Sequence, residues 1–257
     1  MTKNKTTVEI TKFPVKISRS DKVCILGSCF ANEIGARMKD DGFDVCINPF
    51  GTLFNPVSIA NSIARLDSAI PFRKEECVEM GAGAGKICSW WHHTSFARLT
   101  AEEFLENANS ALAEASAAWK ESNKVILTFG TAMVWKLVNS GEIVSNCLKR
   151  PSREFSHELL SIAQTAAVLR RIISAHPDKE FIFTVSPIRH MGEGAHLNTV
   201  SKATLQLAVE ASGVAYFPAY EILLDELRDY RWFAEDLVHP TKEAADYIWS
   251  RFREAIQ

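Results

Sequence analysis

The sequence predicts an α/β fold, a three-layer α/β/α sandwich built on a five-stranded parallel sheet with a flavodoxin-like strand order. Five short apolar runs without a charged residue alternate along the chain with longer segments of helical periodicity. Strands buried on both faces are typical of a parallel sheet that helices cover on each side. Because crossovers between parallel strands are right-handed, few strand orders remain, and the flavodoxin-like order is the simplest of them.

The first half of the chain contains two of the predicted strands, at residues 23–26 and 45–47, with a helix at about residues 31–41 between them. Asn55 followed by Pro56 is typical of a helix start, so we expect a helix to about residue 66. A hairpin is expected over residues 78–93, because the glycine-rich segment 81–85 suits a turn. Thr100 and Glu103 have the spacing of a capping box, which predicts a long helix to about residue 122.

The second half contains the other predicted strands, at residues 125–129, 181–185 and 214–217. The turn sequence Asn-Ser-Gly at residues 139–141 predicts a second hairpin over residues 133–146. Helices are expected at about residues 157–175, 199–212 and 220–227. A stripe of apolar side chains predicts a buried face on the last helix, formed by Ala245, Ile248, Trp249, Phe252 and Ile256.

Composition and charge narrow the class of protein. The 257 residues include 29 Lys and Arg against 31 Asp and Glu, so the net charge is −2, without the basic excess of a nucleic-acid binder. No apolar run approaches the roughly 18 residues of a membrane span, and residues 1–14 lack the apolar core of a signal peptide. Six cysteines without a CxxC pair suit a reducing compartment. We therefore expect one cytoplasmic domain over residues 1–257, with no nucleic-acid or membrane partner; the oligomeric state stays open.

The first predicted strand ends in Gly-Ser-Cys-Phe-Ala, residues 27–31, at the sheet edge where function is expected. A serine between a strand and a helix can carry its hydroxyl to the mouth of the sheet, with its N–H facing a developing oxyanion. Two alternatives to this role of Ser28 stay open. In the first, Ser28 only caps the helix. In the second, the neighbouring Cys29 is the nucleophile, since a helix N-terminus lowers the pKa of a thiol.

Asp236 and His239 stand three residues apart, just before the last predicted helix. A carboxylate at this spacing can hold the imidazole in the tautomer that a general base requires. Taken alone, the spacing is more typical of a hydrogen-bonded surface pair. Together with Ser28 it completes the order Ser…Asp…His, which on an open parallel sheet forms a nucleophile with its base.

Several segments together resemble one protein family. Residues 27–31 resemble the signature of the GSCFA family, and segments similar to its other blocks follow in order, at residues 48–56, 130–132, 185–190, 201–203, 225–230 and 236–240. The resemblance extends from about residue 24 to residue 256. The family resembles a branch of the SGNH/GDSL hydrolases, α/β/α sandwiches that act on esters, often on acyl groups of sugars. This implies Ser28 as nucleophile, His239 as general base and Asp236 as the residue that orients it.

Further residues are candidates for the oxyanion hole or for substrate binding. The N–H of Gly51 follows the second strand, without a side chain to block a ligand. By the resemblance, an asparagine of the third block usually completes the oxyanion hole. Residues 130–133 contain none, so Thr131, or Asn146 in the hairpin, would substitute. Arg189 and His190 follow the fourth strand at the predicted rim of the cleft, where Arg189 would hold an anionic group or form a structural ion pair.

The sequence therefore predicts a serine-dependent ester hydrolase, an esterase or deacylase whose substrate is a small molecule or a glycan with an O-acyl group. No metal or organic cofactor is implied. One alternative is an O-acyltransferase with the same triad, in which a sugar hydroxyl replaces water. Another is a catalytically weak glycan-binding module of the same fold, which the missing asparagine favours.

Overall fold

A computed structural model describes residues 5–10 and 13–257. Residues 1–4 and 11–12 lie outside the described residues, and they belong to the segment 1–14 in which the sequence predicts no signal peptide. The described chain forms ten strands and seven helices. In chain order these are β1 (Lys22–Gly27), α1 (Cys29–Asp40), β2 (Asp44–Ile47), α2 (Pro56–Ser68), β3 (Val78–Glu79), β4 (Ile87–Cys88), α3 (Ala101–Glu121), β5 (Lys124–Phe129), β6 (Met133–Leu137), β7 (Ile143–Val144), β8 (Phe155–Leu159), α4 (Ile162–Ala175), β9 (Glu180–Val185), α5 (Gly194–Glu210), β10 (Ala215–Tyr216), α6 (Ala219–Glu221) and α7 (Lys242–Ile256).

The central sheet has five strands in the order β10-β9-β5-β1-β2, and every neighbouring pair is parallel. The fold class and the flavodoxin-like strand order predicted from the sequence are confirmed. The carboxyl ends of β1, β5 and β9 lie side by side, since Gly27 pairs with Thr128 and Thr128 pairs with Thr184. These three strand ends form the edge that carries the candidate site.

Two hydrophobic cores cover the two faces of the sheet, because alternate residues of each strand point to opposite sides. In β1, Leu26 belongs to the core formed with α2, α3, α4 and α5, whereas Ile25 belongs to the core formed with α1 and α7. The second core also contains apolar residues of the segment 13–17, which precedes β1. The apolar stripe predicted for the last helix is confirmed, since all five of its side chains are buried in α7.

Several helices begin at the predicted caps. The Asn55 side chain accepts the Ser58 N–H at the start of α2, and Thr100 and Glu103 form the predicted capping box at the start of α3. Helix α1 begins two residues before its predicted position, because Ser28 caps it. Helix α6 continues into a wider, π-helical turn over Ile222–Leu227, and together they form the helical segment expected at residues 220–227.

Two antiparallel hairpins interrupt the α/β alternation, as predicted: β3 pairs with β4, and β6 pairs with β7. The prediction of a helix from residue 157 is wrong, because residues 155–159 form β8, which pairs antiparallel with β6. His157 of this strand stacks on Trp135 of β6, with ring centroids 3.8 Å apart. Helix α4 begins only after Ser161, which forms a capping box with Gln164.

Candidate active site

The β1–α1 junction requires a close backbone approach at the edge of the sheet. Gly27 has a φ of 139°, and a Cβ at this position would lie 2.0 Å from the carbonyl oxygen of Thr128 in β5. Only glycine fits there, so the chain can pass directly from β1 into α1. The Asn48 side chain fixes the same junction, because its oxygen accepts the Gly27 N–H at 2.8 Å.

Ser28 is 0% exposed, and its hydroxyl forms hydrogen bonds to groups inside the protein. The Oγ lies 2.9 Å from the Ser186 Oγ and 3.2 Å from the Thr128 Oγ1, and it accepts the Phe30 N–H as the cap of α1. Among the described residues no hydrogen bond joins it to His239. The structure therefore places the predicted nucleophile below the surface of the sheet edge, and its catalytic role stays a prediction.

Cys29, the first residue of α1, is partly exposed. Burial raises the pKa of its thiol to about 11, while the N–H groups of Cys29 and Phe30 and the charge of Lys202 act in the opposite direction. The backbone N–H of Cys29 belongs to the first turn of the helix and has no acceptor in the described part of the chain.

Asp236 and His239 form the hydrogen-bonded pair that the sequence predicts. The His239 Nδ1 lies 2.6 Å from the Asp236 Oδ2, and the Asp236 Oδ1 accepts the backbone N–H groups of Val238 and His239. These contacts, the His239 N–H first among them, lower the pKa of Asp236 to about 2. The ionised carboxylate holds the proton on Nδ1 and leaves Nε2 as the basic nitrogen. Asp236 is 50% and His239 47% exposed, so a ligand can reach the pair.

Arg189 holds the turn that carries this pair. Its Nη1 donates to the Leu237 carbonyl at 3.0 Å, and its backbone N–H donates to the Val238 carbonyl at 3.0 Å. The guanidinium also lies over the rings of Tyr230 and Phe233, 5.9 and 5.5 Å from their centroids. The structural ion pair that the sequence allows for Arg189 is not formed among residues 5–10 and 13–257. Arg189 instead supports a turn in which Leu237 has a φ of 54°.

A buried lysine joins two strand ends at the same edge. Lys202 of α5 is 1% exposed, and its Nζ donates to the carbonyls of Gly130 and Ser186, at 2.6 and 2.8 Å. Burial lowers the pKa of Lys202 to about 7, and the nearby Cys29 acts in the opposite direction. Because Gly130 follows β5 and Ser186 follows β9, one amino group connects the two strands beside the β1–α1 junction.

His190 follows β9 and is partly buried. Burial lowers the pKa of His190 to about 3, and the charges of Lys202 and His239 add to this effect, so the imidazole is neutral at neutral pH. Its Nε2 is buried without a hydrogen-bond partner among the residues that the structure describes. Gly130 leaves room for it, since a Cβ there would lie 2.8 Å from this nitrogen. A polar ligand would complete such an unpaired group.

The two backbone N–H groups predicted for the oxyanion hole are both engaged. The Ser28 N–H donates to the Thr128 carbonyl at 3.1 Å, and the Gly51 N–H donates to the Asn48 carbonyl at 2.8 Å within a tight turn. Gly51 has a φ of 78°, and a Cβ there would lie 2.4 Å from the Cβ of His93, so packing alone requires glycine. Either N–H would have to leave its acceptor to bind an oxyanion.

The two side chains predicted to complete the oxyanion hole bond elsewhere. The Thr131 Oγ1 lies 2.8 Å from the Ser201 Oγ, and the Asn146 Oδ1 accepts the Leu148 N–H within its own loop. Among the described residues neither side chain hydrogen-bonds Ser28. Thr131 follows β5 and belongs to its contact with α5, whereas Asn146 lies beyond β7, outside the central sheet.

A cavity of about 410 Å³ opens beside the Asp236–His239 turn. Arg189, which holds the turn, forms part of its wall. The rest of the wall is largely apolar and includes Tyr220, Leu223, Leu224 and Phe233. The volume is within the range of sites for small organic molecules.

Sequence reasoning assigns no role to three buried residues around the junction, Thr128, Ser186 and Lys202, although the last two lie in segments that resemble family blocks. Each of the three has a feature from which its importance could have been inferred. Thr128 is the one hydroxyl residue in the apolar run of β5, and parallel register places it beside Gly27. Ser186 directly follows β9, at the edge where function is expected. Lys202 stands on the buried face of α5, where an unexplained charge indicates an internal partner.

Within residues 5–10 and 13–257, no three His, Cys, Asp or Glu side chains are grouped to hold a metal ion, and no helix is long and apolar enough to span a membrane. A family model, that of the GSCFA family, matches residues 22–252, nearly the whole chain. No curated protein matches the chain significantly.

Proposed function

Because the chain belongs to the GSCFA family and carries a bonded Asp–His pair at the carboxyl edge of its sheet, we propose that it is a hydrolase that cleaves ester bonds. Membership of the family suggests a hydrolase-like function. The observation that carries the finer proposal is the 2.6 Å contact between the His239 Nδ1 and the Asp236 Oδ2 in an accessible turn. This arrangement prepares the opposite ring nitrogen to take a proton from a nucleophile.

The reaction proceeds through an acyl-enzyme. A nucleophile at the β1–α1 junction attacks the ester carbonyl while the His239 Nε2 takes its proton, and Asp236 stabilises the imidazolium. The alcohol leaves with that proton, and water then hydrolyses the acyl-enzyme. The sequence favours Ser28 as nucleophile, and the Ser28 hydroxyl must then turn away from Ser186 and Thr128 before it attacks.

The cavity beside the Asp236–His239 turn supports an ester with an apolar part. Tyr220, Leu223 and Leu224 offer carbon surface to an acyl chain, while the open side leaves room for a glycan or a smaller alcohol. A sugar hydroxyl in the place of water would turn the same chemistry into acyl transfer.

One observation favours a second candidate, the catalytically weak glycan-binding module. The N–H groups of Ser28 and Gly51 are both engaged by internal acceptors, so this conformation has fewer oxyanion donors than the sequence predicts. A weak oxyanion hole costs about 10²–10³ in rate for each missing donor.

A panel of 4-nitrophenyl esters and acetylated sugars tests the proposal. We expect turnover by the wild-type protein and a loss of at least roughly 10³-fold in His239→Ala, because the base is removed. His196→Ala, which changes an exposed histidine of α5, is the matched control and should retain full activity. An inactive wild-type protein that binds glycans supports the binding module instead. Acylated sugar products in the presence of acceptor sugars identify a transferase.

A further inference from the structure

A second cavity, of about 260 Å³, lies beside α2. Its wall combines one face of this helix with Phe50 after β2, Trp91 after β4 and Ser145 after β7. Among the described residues, this wall shares none with the cavity beside the Asp236–His239 turn. The ester hydrolase proposed above therefore leaves this second cavity without a role.

Helix α2 places two buried hydroxyls without partners in this wall. Ser58 and Ser62 are 1% and 6% exposed, and neither Oγ has a hydrogen-bond partner among the described residues. The two serines stand four residues apart on one face of the helix, so their Cβ atoms are about 5–6 Å apart. Asn61 lines the cavity between them and adds an amide. Because a buried, unpaired hydroxyl destabilises a fold, two of them in one wall indicate a ligand that supplies the missing bonds.

Aromatic rings form another part of the wall. Phe50 and Phe72 pack edge to face, with ring centroids 5.9 Å apart, and the partly exposed Trp91 also lines the cavity. The ring of the buried His92 lies 5.3 Å from that of Phe50 and 4.6 Å from that of Phe72. The His92 Nε2 also lacks a partner in the described part of the chain. Unpaired buried polar atoms are therefore concentrated in and against this wall.

The one charged side chain in the described wall is already paired. Arg65 forms a salt bridge with Glu76, and its Nη1 donates to the Ile70 carbonyl at 3.0 Å. The guanidinium carbon lies 4.2 Å from the ring centroid of Phe72. A charged ligand would find no free counter-charge in this wall, so the cavity favours a neutral ligand.

We propose that this cavity binds one neutral sugar ring, either a free monosaccharide or the end of a glycan. A sugar ring carries hydroxyls around its edge and C–H groups on its faces. Ser58, Ser62 and Asn61 bond the sugar hydroxyls, while Trp91 offers its apolar ring to the C–H groups. The volume suits a single ring, because it is slightly below the range of about 300–1,000 Å³ typical of larger organic ligands. The site goes beyond the proposed ester hydrolysis and does not depend on it.

Fluorine NMR locates the site on the wild-type protein. The protein is labelled with 5-fluorotryptophan, and the Trp91 signal is assigned from its absence in Trp91→Phe. Glucose, galactose, mannose, N-acetylglucosamine and the trisaccharide of N-acetylglucosamine are titrated to millimolar concentration. We expect at least one of them to shift the Trp91 signal saturably and to leave that of Trp249, in the core of α1 and α7, unchanged. If no sugar shifts the Trp91 signal, the proposal is wrong and water bonds the two serines.

The same titration distinguishes the two sources of the sugar ring. Binding of a monosaccharide as tight as that of the trisaccharide indicates a free sugar. Tighter binding of the trisaccharide indicates the end of a glycan. The 6-phosphate of the preferred monosaccharide tests the charge of the ligand, and tighter binding of the phosphate would overturn the neutral class.

Variants of the serines test the contacts. We expect Ser62→Ala to weaken sugar binding about 3–10-fold, as one neutral hydrogen bond is lost, and the double variant with Ser58→Ala to lose at least about tenfold. Ser116→Ala is the matched control, because Ser116 of α3 is also buried and unpaired among the described residues but does not line the cavity. No variant should have a lower Tm than the wild type, since each removes an unpaired hydroxyl. Equal sugar affinity in Ser62→Ala and the wild type would overturn the proposal.

The sugar site and the ester hydrolase fail separately. Turnover of 4-nitrophenyl acetate by Ser62→Ala should equal that of the wild type, because Ser62 lies in the wall of the second cavity. A protein that binds a sugar at Trp91 without hydrolysing any ester would keep this proposal and contradict the proposed function. A protein that hydrolyses esters but binds no sugar would do the reverse.

Discussion

In the proposed mechanism, the Asp236 carboxylate, which bonds the His239 Nδ1, keeps the imidazole in one tautomer and balances its charge when it takes a proton. Asp236→Asn retains the size of the side chain but removes that charge. We expect kcat to fall by roughly 10²–10⁴ with the fold intact, as in other triads. Steady-state kinetics with circular dichroism measures both quantities. Asp246→Asn, which changes an exposed carboxylate of α7 that pairs with Arg37, is the control.

The pH profile gives a second readout of the same pair. The wild-type rate should rise with pH as the imidazole loses its proton, because only the neutral ring accepts one from the nucleophile. A rate that does not change between about pH 5 and pH 8, or a fully active Asp236→Asn, would contradict the role of the pair.

Lys202 makes the stability of the fold depend on pH. Burial lowers its pKa to about 7, whereas in the unfolded chain a lysine keeps its proton to about pH 10.4. Between these values the unfolded state binds more protons, so the free energy of unfolding rises with pH, by up to about 1.4 kcal/mol per pH unit. Urea unfolding at about pH 7, 8 and 9 should show this rise relative to Lys202→Met. Parallel pH curves for the two proteins would contradict it.

At the residue scale, the sequence predicts local pairs better than contacts between strands. Asp236 and His239 are three residues apart, so one turn is enough to join them. The partners of Ser28 lie 100 and 158 residues away, and their contact depends on strand order and register. Ser28 and Cys29 both carry a nucleophilic atom, so residue type alone does not show which of the two side chains faces a substrate. The direction of each side chain depends on where α1 begins.

At the element scale, the wide helical turn Ile222–Leu227 forms one wall of the cavity. Leu224→Trp fills part of this space. We expect it to lower kcat/KM for octanoyl esters at least about tenfold relative to acetyl esters, because the longer chain loses its place. The ratio of the two rate constants is the measurement. Leu207→Trp, at an exposed leucine on α5, should leave the ratio unchanged. An equal fall for both esters would show that the acyl chain lies elsewhere.

Elements with a capping signal are predicted well, and those without one are not. The capping box of α3 and the cap of α2 lie within four residues of sequence, and their helices begin where expected. Residues 155–159 become a strand because β6 offers a free edge to pair with, and apolar periodicity does not show that partner. The Ser161 and Gln164 capping box does mark the true start of α4.

At the scale of the whole molecule, the two cores share one sheet. Leu26 and Ile25 are neighbours in β1 yet belong to opposite cores, so neither core can be lost without the other. We therefore expect residues 1–257 to unfold as a single domain. Fluorine NMR of 5-fluorotryptophan protein can follow Trp119 in one core and Trp249 in the other through a urea titration. Equal midpoints are expected; two separate midpoints would indicate two domains.

The overall topology could be predicted because few arrangements satisfy five buried strands with right-handed crossovers. The hydrogen bonds of the residues predicted for an oxyanion hole could not be predicted, since Gly51, Thr131 and Asn146 each have internal partners that only the folded chain supplies.

The exposed turn that carries His239 has a consequence for heat inactivation. The backbone of this turn is strained at Leu237, and the side chains of Asp236 and His239 are about half exposed to solvent. Helix α7, which begins shortly after the turn, is packed into a core. Local opening needs less energy in the turn than in the sheet. On slow warming, catalytic activity should therefore disappear reversibly several degrees below the loss of helical circular dichroism. Cooling from that interval should restore the proposed esterase activity without any refolding of the sheet.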